Sequence, residues 1–296
     1  MKESITSILI ICFLLALGFF LGKLIKENIK AKLVGSITMI VMLLLFMMGI
    51  ELGEVFINSN LGTSIIIESI VLSSLISIST FLILFKRKLC QIEKKGKQSF
   101  LDPFIGCFKA IMFFCLGVLV YKFTNLSLAE YNISSNYALY TLILLVGLDL
   151  VNFSFNDIKI NHIKIPIFTI AGTVIGALMF SMLTDYSISE SMLISSGYGW
   201  FSLSGPMVTS MTNPHYGSLS FMTDLFREIF SIFFLYFLGK SYPQGAIGIS
   251  GAAALDSALP FIKENCTNED IKYAIASGFV LTLLAPLFIS VFVGLV

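Results

Sequence analysis

The chain has 296 residues, 56% hydrophobic and 12% charged, with a formal net charge of +1 and a mean hydropathy of +0.92. A water-soluble domain carries about 25% charged residues, so this chain has too little polar surface to coat a globule and its missing solvent is lipid. There is no basic patch with interleaved aromatics, which argues against nucleic acid as a partner. The cysteines, Cys12, Cys90, Cys107, Cys115 and Cys266, form no C-x-x-C pair and stand apart from His162 and His215, so neither a metal nor a cofactor is expected.

In chain order, the first apolar run, residues 8–21, is followed by Lys23, Lys26, Lys30 and Lys32, whereas the Lys2 before it is offset by Glu3. It reads as an uncleaved first span and not as a signal peptide. A span needs roughly 20 predominantly apolar residues. Candidates fall at about 6–22, 33–51, 62–85, 103–122, 137–151, 166–184, 188–208, 219–238, 243–261 and 272–295. The ninth is the weakest, because Gly245, Gly248 and Gly251 precede Pro260. The expected fold is an all-α polytopic membrane protein of about ten transmembrane helices, including broken or re-entrant segments.

Basic residues cluster in alternate loops: Lys23 to Lys32, then Lys86 to Lys97, then Lys159 and Lys164. The intervening loops hold Glu51 and Glu54, Lys122 with Glu130, and Asp185 with Glu190. Positive loops stay in the cytoplasm, so the N-terminus and the C-terminus are both expected outside a bacterial inner membrane. Ten spans divide into two five-helix inverted repeats, 1–151 and 165–296, the second carrying the substrate site. One internal echo, Phe46-Met-Met-Gly-Ile-Glu-Leu against Leu144-Leu-Val-Gly-Leu-Asp-Leu, relates spans two and five.

Ionisable groups inside spans cost about 2.5–3.5 kcal/mol each at a helix centre, so they face a cavity or a partner. The eighth candidate span carries Asp224, Arg227 and Glu228. Asp224 and Glu228 share a helix face, and Arg227 has the spacing to pair with Asp224, which leaves one carboxylate for a substrate or a proton. The glycine-rich run from Gly245 to Pro260 breaks a helix within the membrane, and Asp256 sits in it. A third stretch, Ser195 to Pro206, holds the lone Trp200 among glycines and the hydroxyls of Ser202 and Ser204. These residues, with Ser250 and Gly251, are candidate lining of the site. Glu51 and Asp149 end their spans and read as interfacial, and Gly172 with Gly176 reads as a helix-packing pair.

Gly197-Tyr-Gly-Trp-Phe-Ser-Leu-Ser-Gly205, Thr223-Asp-Leu-Phe-Arg-Glu228 and Gly251-Ala-x-x-x-Asp256-x-x-x-Pro260 resemble the signatures of LysO-type lysine exporters, over roughly residues 190–296. The resemblance implies two inverted repeats with broken, crossing helices, as in cation/proton-antiporter-like folds. It also implies an essential intramembrane acidic pair at Glu228 and Asp256. Thr223 departs from relatives that carry Asn there, and Glu51 from relatives that are uncharged. The implied partners are L-lysine and exchanged protons, in contact with membrane lipid; a homo-oligomer is compatible with the sequence. The alternative is a transporter of the same fold for sodium, another basic amino acid or an organic ion. An intramembrane protease is disfavoured, because neither Asp149 nor Asp256 lies in a Gly-x-Gly-Asp pattern and both histidines fall in expected loops.

Overall fold

The computed structural model describes residues 2–86, 102–131, 133–152 and 160–296. The loop residues Arg87, Lys88, Lys94, Lys95, Lys97 and Lys159, and Cys90, lie outside the described residues. Among the described residues all regular structure is helical: α1 (Lys2–Leu24), α2 (Glu27–Gly35), α3 (Ile37–Glu51), α4 (Gly53–Ile57), α5 (Ser59–Ile83), α6 (Asp102–Thr124), α7 (Ser135–Asp149), α8 (Lys164–Leu183), α9 (Ile188–Ser195), α10 (Phe201–Met211), α11 (Pro214–Leu238), α12 (Pro243–Ser250), α13 (Leu259–Asn265) and α14 (Asn268–Val293). Five stretches are long and apolar enough to cross a membrane: Glu27–Glu51, Ser59–Ile83, Ile105–Thr124, Asn161–Leu183 and Asn268–Val293. α11 is as long as these, but Asp224, Arg227 and Glu228 interrupt its apolar character. This is a multi-pass membrane protein.

The helices pack in two groups. In the first, α1 lies on α7 and α3 on α6, with α3 also touching α7. Glycine lets these backbones approach: a methyl group on Gly18 would overlap the Leu144 carbonyl, and one on Gly147 the Leu15 carbonyl. Gly49 and Gly117 make the same close approach between α3 and α6. Glu51, expected to reach for the interface, instead caps α7: it accepts from the Ser135 backbone N–H at 3.0 Å and from the Ser135 hydroxyl at 2.6 Å. The unsatisfied N–H groups of a helix start draw the carboxylate inward.

The second group is built around α5, α8, α11 and α14. Gly172 and Gly176 seat α8 against Thr80 and Ile76 of α5, in keeping with their reading as a packing pair. Thus α5, from the first half of the chain, packs on helices of the second half.

Two segments expected to cross, 188–208 and 243–261, fold back on themselves. The helix from Ser187, fixed by a capping box with Glu190, breaks after Ser195 and returns as α10. Both arms lie against the start of α11: Tyr216 of α11 donates its hydroxyl to Glu190 of α9, while Gly217 abuts Thr209 of α10. The second hairpin, α12 and α13, begins and ends at the other end of α11. Pro243 follows Gly239 closely in the chain, and Cys266 Sγ lies 3.7 Å from the Gly239 carbonyl. Arms of 7 to 11 residues span about 10–17 Å, half a membrane core, so each can reach the middle and return. Hydropathy alone reads such a hairpin as a crossing because its total length is that of one.

Candidate functional site

The two hairpin tips meet beside the middle of α11. The first tip turns through positive φ at Tyr198 (51°) and Gly199 (86°), and the second at Gly251 (59°). Ala252 N–H donates to the Tyr198 carbonyl at 2.9 Å, tying one unwound segment to the other. Only glycine fits at 251, where a Cβ would collide with that carbonyl.

α11 holds both tips with opposite charges. Asp224 Oδ1 accepts from the Gly199 backbone N–H at 2.7 Å, clasping the first hairpin. Arg227 Nε donates to the Ile249 carbonyl at 3.0 Å, clasping the second, and Nη1 donates to Thr173 Oγ1 of α8 at 3.2 Å. Both side chains are fully buried. The three-residue spacing therefore does not become the ion pair that it allows. Each charge turns sideways to backbone groups freed by a broken helix, which have no other partner in the membrane. Asp224 Oδ2, packed against Gly197 and Ser204, and Arg227 Nη2, near Gly251, are left without a hydrogen-bond partner.

One turn further along α11, Glu228 is 4% exposed. Its Oε1 lies 3.8 Å from Cys107 Sγ of α6, and the Ser257 hydroxyl and the Asp256 charge act on it from the second hairpin. Asp256 ends the short 3-10 turn Gly251–Leu255 at φ −123°, ψ −98°. The residue is exposed, unlike the buried Glu228. Asp149, at the end of α7, is close enough for its charge to act on Asp256.

The expected site thus divides in two. Glu228 and Asp256 are near enough for the Asp256 charge to act on Glu228, whereas Asp224 and Arg227 hold the two hairpin tips. Ser204 sits beside Asp224. Ser202 is buried nearby in α10, and the Ser250 hydroxyl turns back to the Ala246 carbonyl at 3.2 Å. Trp200 precedes α10 and packs on the core that α1, α7, α10 and α14 share. Sequence reading missed Cys107, Ser257 and the approach of Asp149. A buried cysteine in an apolar helix carries no local signal when its partner is 121 positions away. Among the described residues no cluster of ligating side chains could hold a metal ion.

Two discontinuous helices that meet beside buried charges inside an apolar helical body are the architecture of a membrane transporter. The chain belongs to the lysine exporter LysO family, whose family model matches residues 111–293. A protein of Escherichia coli named "Lysine exporter LysO" is 28% identical over 303 aligned positions, covering 97% of this chain and 99% of the relative. A Haemophilus influenzae protein named "Putative lysine exporter" is 37% identical over 166 positions, covering 54% of this chain and 85% of the relative. No solved structure matches the chain. The family is one of transporters and not of enzymes.

Proposed function

We propose that this protein exports L-lysine across a bacterial inner membrane in exchange for protons, by alternating access to the Glu228–Asp256 pair. The observation that carries the reading is a nearly buried carboxylate on α11, Glu228, within reach of the charge of the exposed Asp256 on the second hairpin. Lysine presents two ammonium groups and one carboxylate. Two carboxylates offset its cations once water is left behind, and the same carboxylates take up protons when lysine leaves. With Arg227 and Asp224 cancelling, Glu228 and Asp256 leave the site with two negative charges, room for one lysine cation and one proton. Exchange matters energetically, because moving one positive charge out against an inside-negative potential costs about 2.3 kcal/mol per 100 mV.

The arrangement in the membrane follows the same reading. Eight helices cross, and the hairpins α9–α10 and α12–α13 enter from opposite faces. Lys240, Lys263 and Lys272 then fall on the same side as Lys86 and Lys164, as positive-inside bias requires, and both termini stay outside. Asp256, facing the end of α7, opens to the cytoplasm. The repeat units are smaller than five helices: Leu17-Gly18 to Lys23 echoes Leu116-Gly117 to Lys122, and Gly49 to Glu51 echoes Gly147 to Asp149. Three crossings per unit give an inverted pair, and each hairpin with its following helix, α9–α11 and α12–α14, gives a second.

Glu228→Gln and Asp256→Asn keep shape and remove charge, so both variants are expected to reach the membrane at normal levels and to fail in lysine export. Labelled lysine uptake into inverted vesicles, with and without a pH gradient, reads this directly. Normal transport by both variants would move the site elsewhere; failure of both to accumulate would make the acids structural.

A further inference from the structure

A buried polar seam runs along α11 from its outer end to Glu228. Tyr216, Ser220, Asp224 and Glu228 recur every fourth residue and so share one face of the helix, with Thr223 beside them. Ser220, Thr223 and Asp224 are fully buried, and Ser220 Oγ, Thr223 Oγ1 and Asp224 Oδ2 have no hydrogen-bond partner. Helix α5 supplies the facing side: Ser69 Oγ donates to the Leu219 carbonyl at 3.3 Å, and Ser73 and Ser77 follow on the same face, also buried. Buried hydroxyls are ordinarily paired, and several orphans in one line mark a place that takes up water in another state.

The outer end of the seam is a relay of titratable groups at the base of the first hairpin. Tyr186, between α8 and α9, donates its hydroxyl to Glu68 of α5 at 2.9 Å and lies 2.9 Å from His215 Nε2 of α11. Burial and the Glu68 carboxylate push the Tyr186 phenol up, so it stays protonated and donates. His215 must then be the donor in its own contact with Tyr186. Tyr216 beside it donates to Glu190 of α9, and Ser64 donates to the other Glu68 oxygen at 2.6 Å. Glu68, Glu190, Tyr186 and Tyr216 are thus the titratable groups that face His215.

We infer that this seam is the route by which protons reach Glu228 from the outer face, separate from the exposed side of Asp256 that lysine reaches. The proposal rests on the exporter reading above and deepens it. Successive seam positions are four residues apart, about 6 Å along the helix, which is two hydrogen bonds of about 2.8 Å with one water between them. A proton taken up at the His215–Glu68 relay passes by exchange through hydroxyls and bridging water to the Glu228 carboxylate, which becomes neutral as lysine is released. In the conformation described the outer end of the seam is tied to α9 by the Tyr216–Glu190 contact, while Asp256 is exposed. Loosening of the first hairpin opens the seam.

The test compares two assays on the purified full-length protein in proteoliposomes. Lysine–lysine exchange needs no net proton movement; lysine flux driven by an imposed pH gradient does, and a pH-sensitive dye follows it. Thr223→Val removes one hydroxyl at nearly constant volume. It should leave lysine–lysine exchange intact and reduce proton-driven flux by roughly a hundredfold or more, the low end for losing a positioned proton-transfer group. Thr223→Ser should restore the flux, and Ser220→Ala should show a weaker form of the same split. Equal loss in both assays, or no loss in either, overturns the seam. An unaltered protein that exchanges lysine but ignores the pH gradient overturns it while leaving lysine export standing. One that moves no lysine removes the reading on which it rests.

Discussion

The two helix groups are held together by different forces. Helices α1, α3, α6 and α7 are knit by glycine contacts between apolar backbones, with Leu44, Leu45, Met48 and Leu139 filling the space around them. The hairpin group instead buries charge and hydroxyl: Asp224, Arg227, Glu228, Thr173 and Ser204 are all inside it. Lipid tails are as apolar as leucine, so the first kind of contact has one good arrangement and no alternative worth having. Polar partners can be exchanged for one another or for water, so the second kind supports two states separated by a small free energy. On the exchange mechanism proposed above, the contrast casts the first group as frame and the second as the part that moves.

The largest effect expected in breaking that contrast comes from Arg227→Ala. It removes the clasp on the second hairpin and leaves Asp224 without a nearby cation. Truncating one member of a buried charged set costs about 3–5 kcal/mol, so the variant should lose most of its accumulation and its thermal midpoint in detergent should fall. Asp224→Asn added to it should recover part of that loss. If the single variant is as stable as the parent, charge does not hold the hairpins.

Gly147→Leu tests the frame. Overpacking the α1–α7 contact costs about 1–3 kcal/mol, and stability should drop while lysine flux per folded molecule stays unchanged. A flux that falls in proportion would show that the frame is part of the moving body. Gly251→Ala should cost flux beyond its cost in stability: the backbone there (φ 59°, ψ −127°) suits glycine, and the new methyl collides with the Tyr198 carbonyl, so flux per folded molecule should collapse. Smallest is Thr173→Val, which removes a single bond to Arg227 and should lower stability by about 1–2 kcal/mol with transport slowed rather than abolished. Thermal unfolding followed by size-exclusion profile, beside vesicle uptake, separates these outcomes.

Much of this arrangement is written locally. Apolar length marks the spans, Gly197-Tyr-Gly and Gly251 mark the breaks, and Asp224, Arg227, Glu228 and Asp256 announce themselves as ionisable groups in apolar surroundings. What is not written is where each helix goes after its break. Residues 188–211 have the length of one crossing, and it takes the contacts of Glu190 with Tyr216, 26 positions away, and of Thr209 with Gly217 to show that both arms return to one face. Spacing along α11 likewise suggests an ion pair, because it carries no knowledge of the backbone of Gly199 and Ile249 that competes for the same charges. Glu51 misleads for the same reason: its partner, the start of α7, is brought beside it by tertiary packing.

The three charges on α11 also bear on how the chain is made. At about 2.5–3.5 kcal/mol for each ionisable group at mid-helix, against about 0.3–0.6 kcal/mol gained per large apolar residue, α11 is a poor segment to leave the translocon by itself. Its partners for those charges arrive on both sides in time: the first hairpin is synthesised before it and the second after. Asp224 can be satisfied by Gly199 as soon as α11 emerges, whereas Arg227 has only the Thr173 hydroxyl until Ile249 follows. The order of synthesis therefore calls for a stage at which α11 is held, half-compensated, next to the first hairpin. In a glycosylation-mapping assay, α11 alone should insert poorly, insertion should rise when α9 and α10 precede it, and it should become complete only once α12 follows.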